Sequence, residues 1–255
     1  MSRTLKTDIP GPDRRVTIEE VRAKGWDALF APELAAPIGA LVVEIGFGRG
    51  EFLRQLATGA PSVPHLGVEL SWKRVLKMAR RIARAGDPNI RMICARGEDV
   101  MQEAIADDSV RTFWINFSDP WPKARHHRRR LVQTPFVHQL ARRLRPGGEL
   151  HVATDDVPYA EHIHEVLRVE ALLENALPAA FLPEIPERPV TAYEAMWRAE
   201  GRPLHFFSYR RRALSGGGNC IDAKLGADRA EGRGEAIFEP RQLWTHILFV
   251  RTTHD

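Results

Sequence analysis

The sequence predicts an α/β fold, a largely parallel sheet with helices on both faces and late antiparallel strands. Two observations predict it. Between residues 41 and 154, short apolar runs rich in β-branched residues alternate with longer segments of helical periodicity. Glycine, proline or a capping residue stands at most junctions between them. Such alternation makes right-handed strand–helix–strand crossovers that cover both faces of a parallel sheet. Ligands of these sheets bind beyond the carboxyl ends of the strands.

The elements follow in order. Residues 1–36 are rich in Pro, Arg and Glu without strong periodicity, and predict a loose arm with one short helix, Thr17–Ala28. Thr17 and Glu20 have capping-box spacing at its start. Leu41–Ile45, "LVVEI", reads as a buried strand ending at glycines, and "EFLRQLA" as the helix after it. His65–Leu70 is a second strand, and "WKRVLKMARRIARAG" an amphipathic helix stopped at Gly86. Met92–Ala95 and Val110–Phe117 are the third and fourth strands. Thr134-Pro135 reads as N-cap and first-turn proline of a helix through Arg143, ended by Pro146-Gly147-Gly148 before a fifth strand, Glu149–Thr154. "YAEHIHEVLRVEALLE" (residues 159–174) predicts a further helix. "LHFFSYRRR" (204–212) and "LWTHILFVR" (243–251) predict late antiparallel strands, separated by a Gly- and charge-rich loop, 215–235.

Composition limits the function classes. At 255 residues and 44% hydrophobic content the chain can bury a real core. The net charge is only +4, but cations concentrate in Lys123–Arg130 and Arg210–Arg212. Cys94 and Cys220 are too few for a disulfide framework or a cysteine metal site, and Cys94 is expected in the core. His126 and His127 lack metal-ligand spacing, so no metal is expected. No apolar run reaches the ~18 residues of a membrane span and no signal-peptide core is visible, so a cytoplasmic location is expected.

The residues just past each strand are therefore the ones to read: Glu44–Gly50, Glu69, Ala95–Glu98, Ser118–Lys123 and Thr154–Asp156. The first set reads Glu44-Ile45-Gly46-Phe47-Gly48-Arg49-Gly50. Glu51 stands where a dinucleotide fingerprint needs its third glycine, and the Glu44 carboxylate would repel a pyrophosphate. The pair suits a ligand with an ammonium group and no phosphate, such as S-adenosylmethionine, with Gly46, Gly48 and Gly50 allowing close approach. Glu69 is placed to accept hydrogen bonds from ribose hydroxyls. Past the fourth strand, Asp119-Pro120-Trp121-Pro122 presents a carboxylate and an aromatic ring held by prolines, directly before the cationic run. Trp121 can stack on a base or pack beneath its own loop. Such a stretch suits a site that handles a polyanion.

"NFSDPWPKARHHRRR" (residues 116–130) resembles the signature of the bacterial tRNA (guanine-N7-)-methyltransferase family. "EIGFGRGEFL" is similar to that family's first motif, "ATDDVPYAEH" to its segment after strand five, and "TAYE" to its late T-x-[FY]-E motif. The resemblance covers roughly residues 41–211. It implies a Rossmann-like class I methyltransferase domain over 37–212, with 1–36 as an arm and 213–255 as an extension. It also implies methyl transfer from S-adenosylmethionine to N7 of a variable-loop guanine in tRNA, by a monomer or homodimer. Glu44, Glu69 and Asp119 would contact the cofactor, Asp119 would also sit by the target base, and Lys123, Asp155, Thr191, Tyr193 and Glu194 would hold the substrate. The sequence departs from the family after strand three. There Cys94-Ala95-Arg96-Gly97-Glu98 stands in place of a segment like N-x-D-A, which leaves Arg96 or Glu98 at the adenine. Arg125, Arg128, Arg129 and Arg130 are expected at RNA phosphates; on a helix the first three share a face and Arg130 turns aside. Two other functions fit the same pattern: a different nucleic-acid N-methyltransferase, and a non-catalytic RNA-binding protein on a methyltransferase fold, which Arg96 favours.

Overall fold

Leu41–Ile45 forms β1, buried along its whole length at the centre of a seven-stranded sheet of order β3-β2-β1-β4-β5-β7-β6. The structure is a computed structural model and describes residues 7–213 apart from Glu187. β2 (His65–Val68), β3 (Ile90–Ile93), β4 (Val110–Asn116) and β5 (Leu144–Thr154) run parallel to β1. β7 (His205–Arg211) lies antiparallel between β5 and β6 (Leu173–Asn175). Strand order reverses between β1 and β4, so their carboxyl ends open a crevice there.

Alternation along the strands sorts side chains to two faces. Val43 and Ile45 of β1, Phe113 and Ile115 of β4, and Leu150 and Val152 of β5 join one core. That core is completed by α1 (Ile18–Phe30), α4 (Gly97–Glu103), α5 (Thr134–Arg143) and α6 (Val157–Arg168). The other face meets α2 (Glu51–Gly59), α3 (Trp72–Ala85) and α7 (Ala192–Ala199) through smaller clusters. Glu44, Trp114 and Asn116 belong to this second face by the same parity.

Several expectations are corrected. The arm is not loose from Asp13 onward. Val16 N donates to Met92 O (2.9 Å) and Met92 N to Arg14 O (3.1 Å), so the arm satisfies the open edge of β3. Arg14 and Arg91 both pair with Glu33, and the Thr17–Glu20 capping box starts α1, which runs two residues further than expected. β3 begins two residues earlier than expected and ends at Ile93, leaving Cys94 exposed in the turn rather than in the core. The short α4 that follows has too few apolar positions to show a period, which is why it was not foreseen. The N-cap of α5 is Gln133, with Thr134 as its first helical residue. The helix expected to reach residue 174 stops at Arg168. Glu170 caps the turn, its carboxylate accepting from Leu172 N (3.1 Å), and Leu173–Asn175 pairs with β7. Pairing with the free edge of β7 overrides a helical propensity that is strong locally, in Glu170-Ala171-Leu172-Leu173-Glu174. The expected loop 215–235, the strand 243–251, Cys220 and the rest of 214–255 lie outside the described residues.

Candidate active site

The crevice is walled first by the loop after β1. Gly46, Gly48 and Gly50 all hold left-handed backbone (φ 76°, 58° and 73°). A side chain at Gly46 or Gly48 would project into open space, which is the surface a ligand needs. Gly50 differs: a Cβ there would strike Met78 Sδ at 2.3 Å, so this glycine seats the loop on α3.

Two acids flank the loop. Glu69, just past β2, accepts from Gly48 N (3.0 Å) and Ser71 N (2.9 Å), and so fixes the loop to the end of the second strand. Glu44 is buried on the face covered by α2 and α7. Its Oε1 accepts from Asn116 Nδ2 at 3.2 Å, while Oε2 is buried with no hydrogen-bond partner. Burial pushes its carboxyl up to about 7; the Asn116 bond and the Arg188 charge hold it down, and the nearby Leu53 amide favours the ionised form without a well-formed bond. A buried acceptor without a donor calls for one. An ammonium at this point would satisfy Oε2, so the residues present fit S-adenosylmethionine.

Past β3, Arg96 and Glu98 are paired with each other at 3.2 Å. They line a surface cleft of about 260 Å³ with Arg128, Arg129, Gln133 and Phe136. The structure thus brings Arg96 to the cationic run.

The loop after β4 carries two non-glycine residues in the left-handed region, Phe117 (φ 50°) and Trp121 (φ 45°). Strain of this kind concentrates at functional sites and persists only when the surroundings impose it. Asp119 Oδ1 accepts from Trp121 N at 2.9 Å, which stabilises the turn and leaves Oδ2 exposed. Arg130 supplies much of the surroundings. It is buried, donates from Nε to Pro120 O (2.9 Å), and lies 5.0 Å over the Tyr159 ring. Tyr159 in turn meets Ser118 Oγ and Val132 N, each at 3.2 Å. Arg130 is therefore corrected from a phosphate contact to the brace of the Asp119 loop.

The cationic run forms a 3₁₀ helix, Ala124–Arg129. With three residues per turn Arg125 and Arg128 eclipse, and Arg129 falls with His126. The expectation that Arg125, Arg128 and Arg129 share one face is corrected accordingly. All three are exposed, as is Lys123 at the helix entrance. Trp121 packs edge-on to His126 (5.7 Å) with Arg129 above it at 5.0 Å. Packing under its own helix is what this ring does here.

The late motif divides in two. Thr191 caps α7, accepting from Glu194 N at 2.9 Å. Glu194 is buried and paired with Arg188 and with Arg198 (2.9 Å). Both are engaged internally in this structure. Tyr193 is 51% exposed, with its ring 6.0 Å from Phe117. Asp155, past β5, is half-buried and 3.8 Å from Arg202. Arg188 was missed by sequence reading; the only signal was an arginine just ahead of T-A-Y-E.

No group of three or more His, Cys, Asp or Glu among the described residues could hold a metal, and no described helix is long and apolar enough to cross a membrane.

Fold and site together define a class I S-adenosylmethionine-dependent methyltransferase. Solved structures with this fold include the antibiotic-resistance methyltransferase Kmr (TM-score 0.53, 20% identity, 78% of this chain and 95% of that one) and the 16S rRNA methyltransferase KamB (0.53, 16%, 73% and 94%). A family model described as "Putative methyltransferase" matches residues 39–207. A tRNA (guanine-N(7)-)-methyltransferase of Halorhodospira halophila is 38% identical over 207 residues, 81% of this chain and 87% of that protein. One of Bordetella pertussis is 40% identical over 204 residues, 78% and 80%. The chain belongs to the tRNA (guanine-N7-)-methyltransferase family.

A cofactor ammonium received by Glu44 would make binding pH-dependent. The carboxyl must ionise to receive it, so on this assignment affinity for S-adenosylmethionine is expected to rise with pH through about 7. Well below that midpoint the rise should approach about tenfold per unit, and it should reverse near the ~8 of an α-amino group. Calorimetric titration across this range checks it, and Glu44→Gln should bind weakly and lose the rising limb.

Proposed function

We propose that this protein transfers a methyl group from S-adenosylmethionine to N7 of a guanine in tRNA, the variable-loop guanine, in the cytoplasm. The observation that carries the reading is Asp119, held on a braced, strained loop at the crevice and followed at once by exposed cations. When bound, the cofactor supplies a sulfonium methyl group. Guanine N7 has a lone pair and no proton, so no general base is needed. What the chain contributes is alignment and charge.

Glu44, Gly46, Gly48 and Glu69 hold the cofactor in this reading. Asp119 accepts from guanine N1–H and N2–H₂ in this reading, and its charge opposes the positive charge that develops on the ring. Tyr193, Asp155 and Lys123 border the substrate side. Arg96, Arg125, Arg128 and Arg129 meet phosphates. Residues 37–212 are the catalytic body in this reading, and Arg14–Val16 pair with its β3 edge. Incubating the protein with unmodified tRNA and labelled cofactor, then analysing nucleosides, tests the reading. The expected product is 7-methylguanosine in the variable loop; a different methylated nucleoside, or none, would overturn it.

The phosphate assignment has its own test. Arg128→Ala with Arg129→Ala should weaken tRNA binding and lower the log–log salt slope by ~1 per lost contact. Cofactor affinity should stay constant. An unchanged slope would return both residues to the solvated surface.

A further inference from the structure

A buried polar chain runs from the cofactor end of the crevice to α7. Arg188 is its centre, with a side chain only 4% exposed. One guanidinium nitrogen, Nη1, donates to Glu194 Oε2; the other, Nη2, donates to Asn116 Oδ1 at 2.5 Å. Asn116 Nδ2 then donates to Glu44 Oε1 at 3.2 Å. The order is forced by chemistry. Arginine has no acceptor, so it takes the amide oxygen, and only the amide's N–H₂ remains for the carboxylate. Aromatic rings hold the guanidinium in place, Phe206 at 4.7 Å and Phe52 at 5.3 Å.

The groups that act on Glu44 come from four directions. Asn116 reaches it from β4, the Leu53 amide from α2 and the Arg188 charge from the segment before α7; each favours the ionised form. Glu69, past β2, and burial oppose it. Arg188 is thus the cation that offsets a carboxylate buried among apolar side chains, while Arg198 shares the neutralisation of Glu194.

We propose that Arg188 is a positioning residue for cofactor binding: acting through Asn116, it holds the Glu44 carboxylate ready to receive the cofactor's ammonium, and ties it to α7. The proposal rests on the reading of Glu44 as a cofactor ligand. It gives Arg188 a role beyond neutralising Glu194.

Calorimetry with S-adenosylhomocysteine, which carries the same ammonium, tests this without turnover. In Arg188→Gln the rising pH limb should move up by about one unit, with binding about fivefold weaker at pH 7 and about tenfold weaker well below it. Arg188→Lys keeps the charge but not the two-way fork, and should fall between. In a Glu44→Gln background, Arg188→Gln should cause no further loss of affinity. Thermal melting of each variant reports folding. If Arg188→Gln does not fold, Asn116→Ala cuts the link while leaving the Arg188–Glu194 pair, and should show the same shift in the pH limb. Wild-type affinity and pH profile in Arg188→Gln or Asn116→Ala would overturn the proposal, as would an equal loss in the Glu44→Gln background. Normal binding by Glu44→Gln alone would instead overturn the cofactor reading beneath it.

Discussion

Replacing Asp119 with Ala is expected to lower kcat by ~10²-fold or more, the scale of one lost electrostatic stabiliser. The chain should stay folded, because Asp119 is exposed and its one internal bond is to Trp121 N. If the carboxylate orients guanine and opposes the charge developing on the ring, its interaction strengthens in the transition state. Loss of such an interaction appears in kcat rather than in binding alone. Ala also removes the acceptor that holds Trp121 at φ 45°, so a disturbed loop could mimic a catalytic loss. Asp119→Asn separates the two. It keeps an oxygen for Trp121 N and discards the charge, and it should be nearly as impaired as Ala. Single-turnover methylation of unmodified tRNA, followed to 7-methylguanosine, is the measurement. A near-normal rate in Asp119→Asn would confine Asp119 to the architecture of the loop.

Glu194→Ala should destabilise the protein by about 3–5 kcal/mol, since it removes the carboxylate that compensates a buried guanidinium. Arg188 is almost wholly buried and its own charged form is already disfavoured by burial, so it cannot turn to solvent. Arg198 can, being over a third exposed. The melting temperature should fall by about 10 °C on the scale of a chain this size. Glu194→Gln keeps one acceptor for Arg188 and should fall less. Thr191→Ala, which removes only the cap of α7, should cost about 1 kcal/mol. The alternative role leaves a different mark: weakened tRNA binding with an unchanged melting curve in Glu194→Ala would make the carboxylate a substrate ligand after all.

The contrast between Asp119 and Glu194 shows what one-dimensional motifs can carry. Both stand in segments that resemble the family's motifs. Asp119 follows a strand and precedes exposed cations, and it emerges at the crevice as expected. Glu194 lies on the inner face of α7, where an arginine six residues back meets it. Nothing in "TAYE" says which of its polar groups turns inward. The same holds for the arginine run: Arg128 and Arg129 are exposed, while Arg130, one residue on, is buried over Tyr159. A string of like residues has no period from which to read an inner and an outer side.

Local rules were enough for the parallel sheet and its crevice. β-branched runs, glycine turns, the Thr17 capping box and amphipathic α3 are set within a few residues by dihedral preference and side-chain periodicity. The class of ligand was legible too, because an acid beside glycines at a strand end would repel a pyrophosphate. Tertiary structure alone decided what depends on distant partners. It paired the arm with β3, drew Leu173–Asn175 out of a helix to pair with β7, turned Gly50 against Met78, and joined Glu44, Asn116, Arg188 and Glu194 into one buried chain. Those outcomes follow from unpaired backbone edges and from charges that cannot remain uncompensated once buried, and the partner in each case arrives from far along the chain.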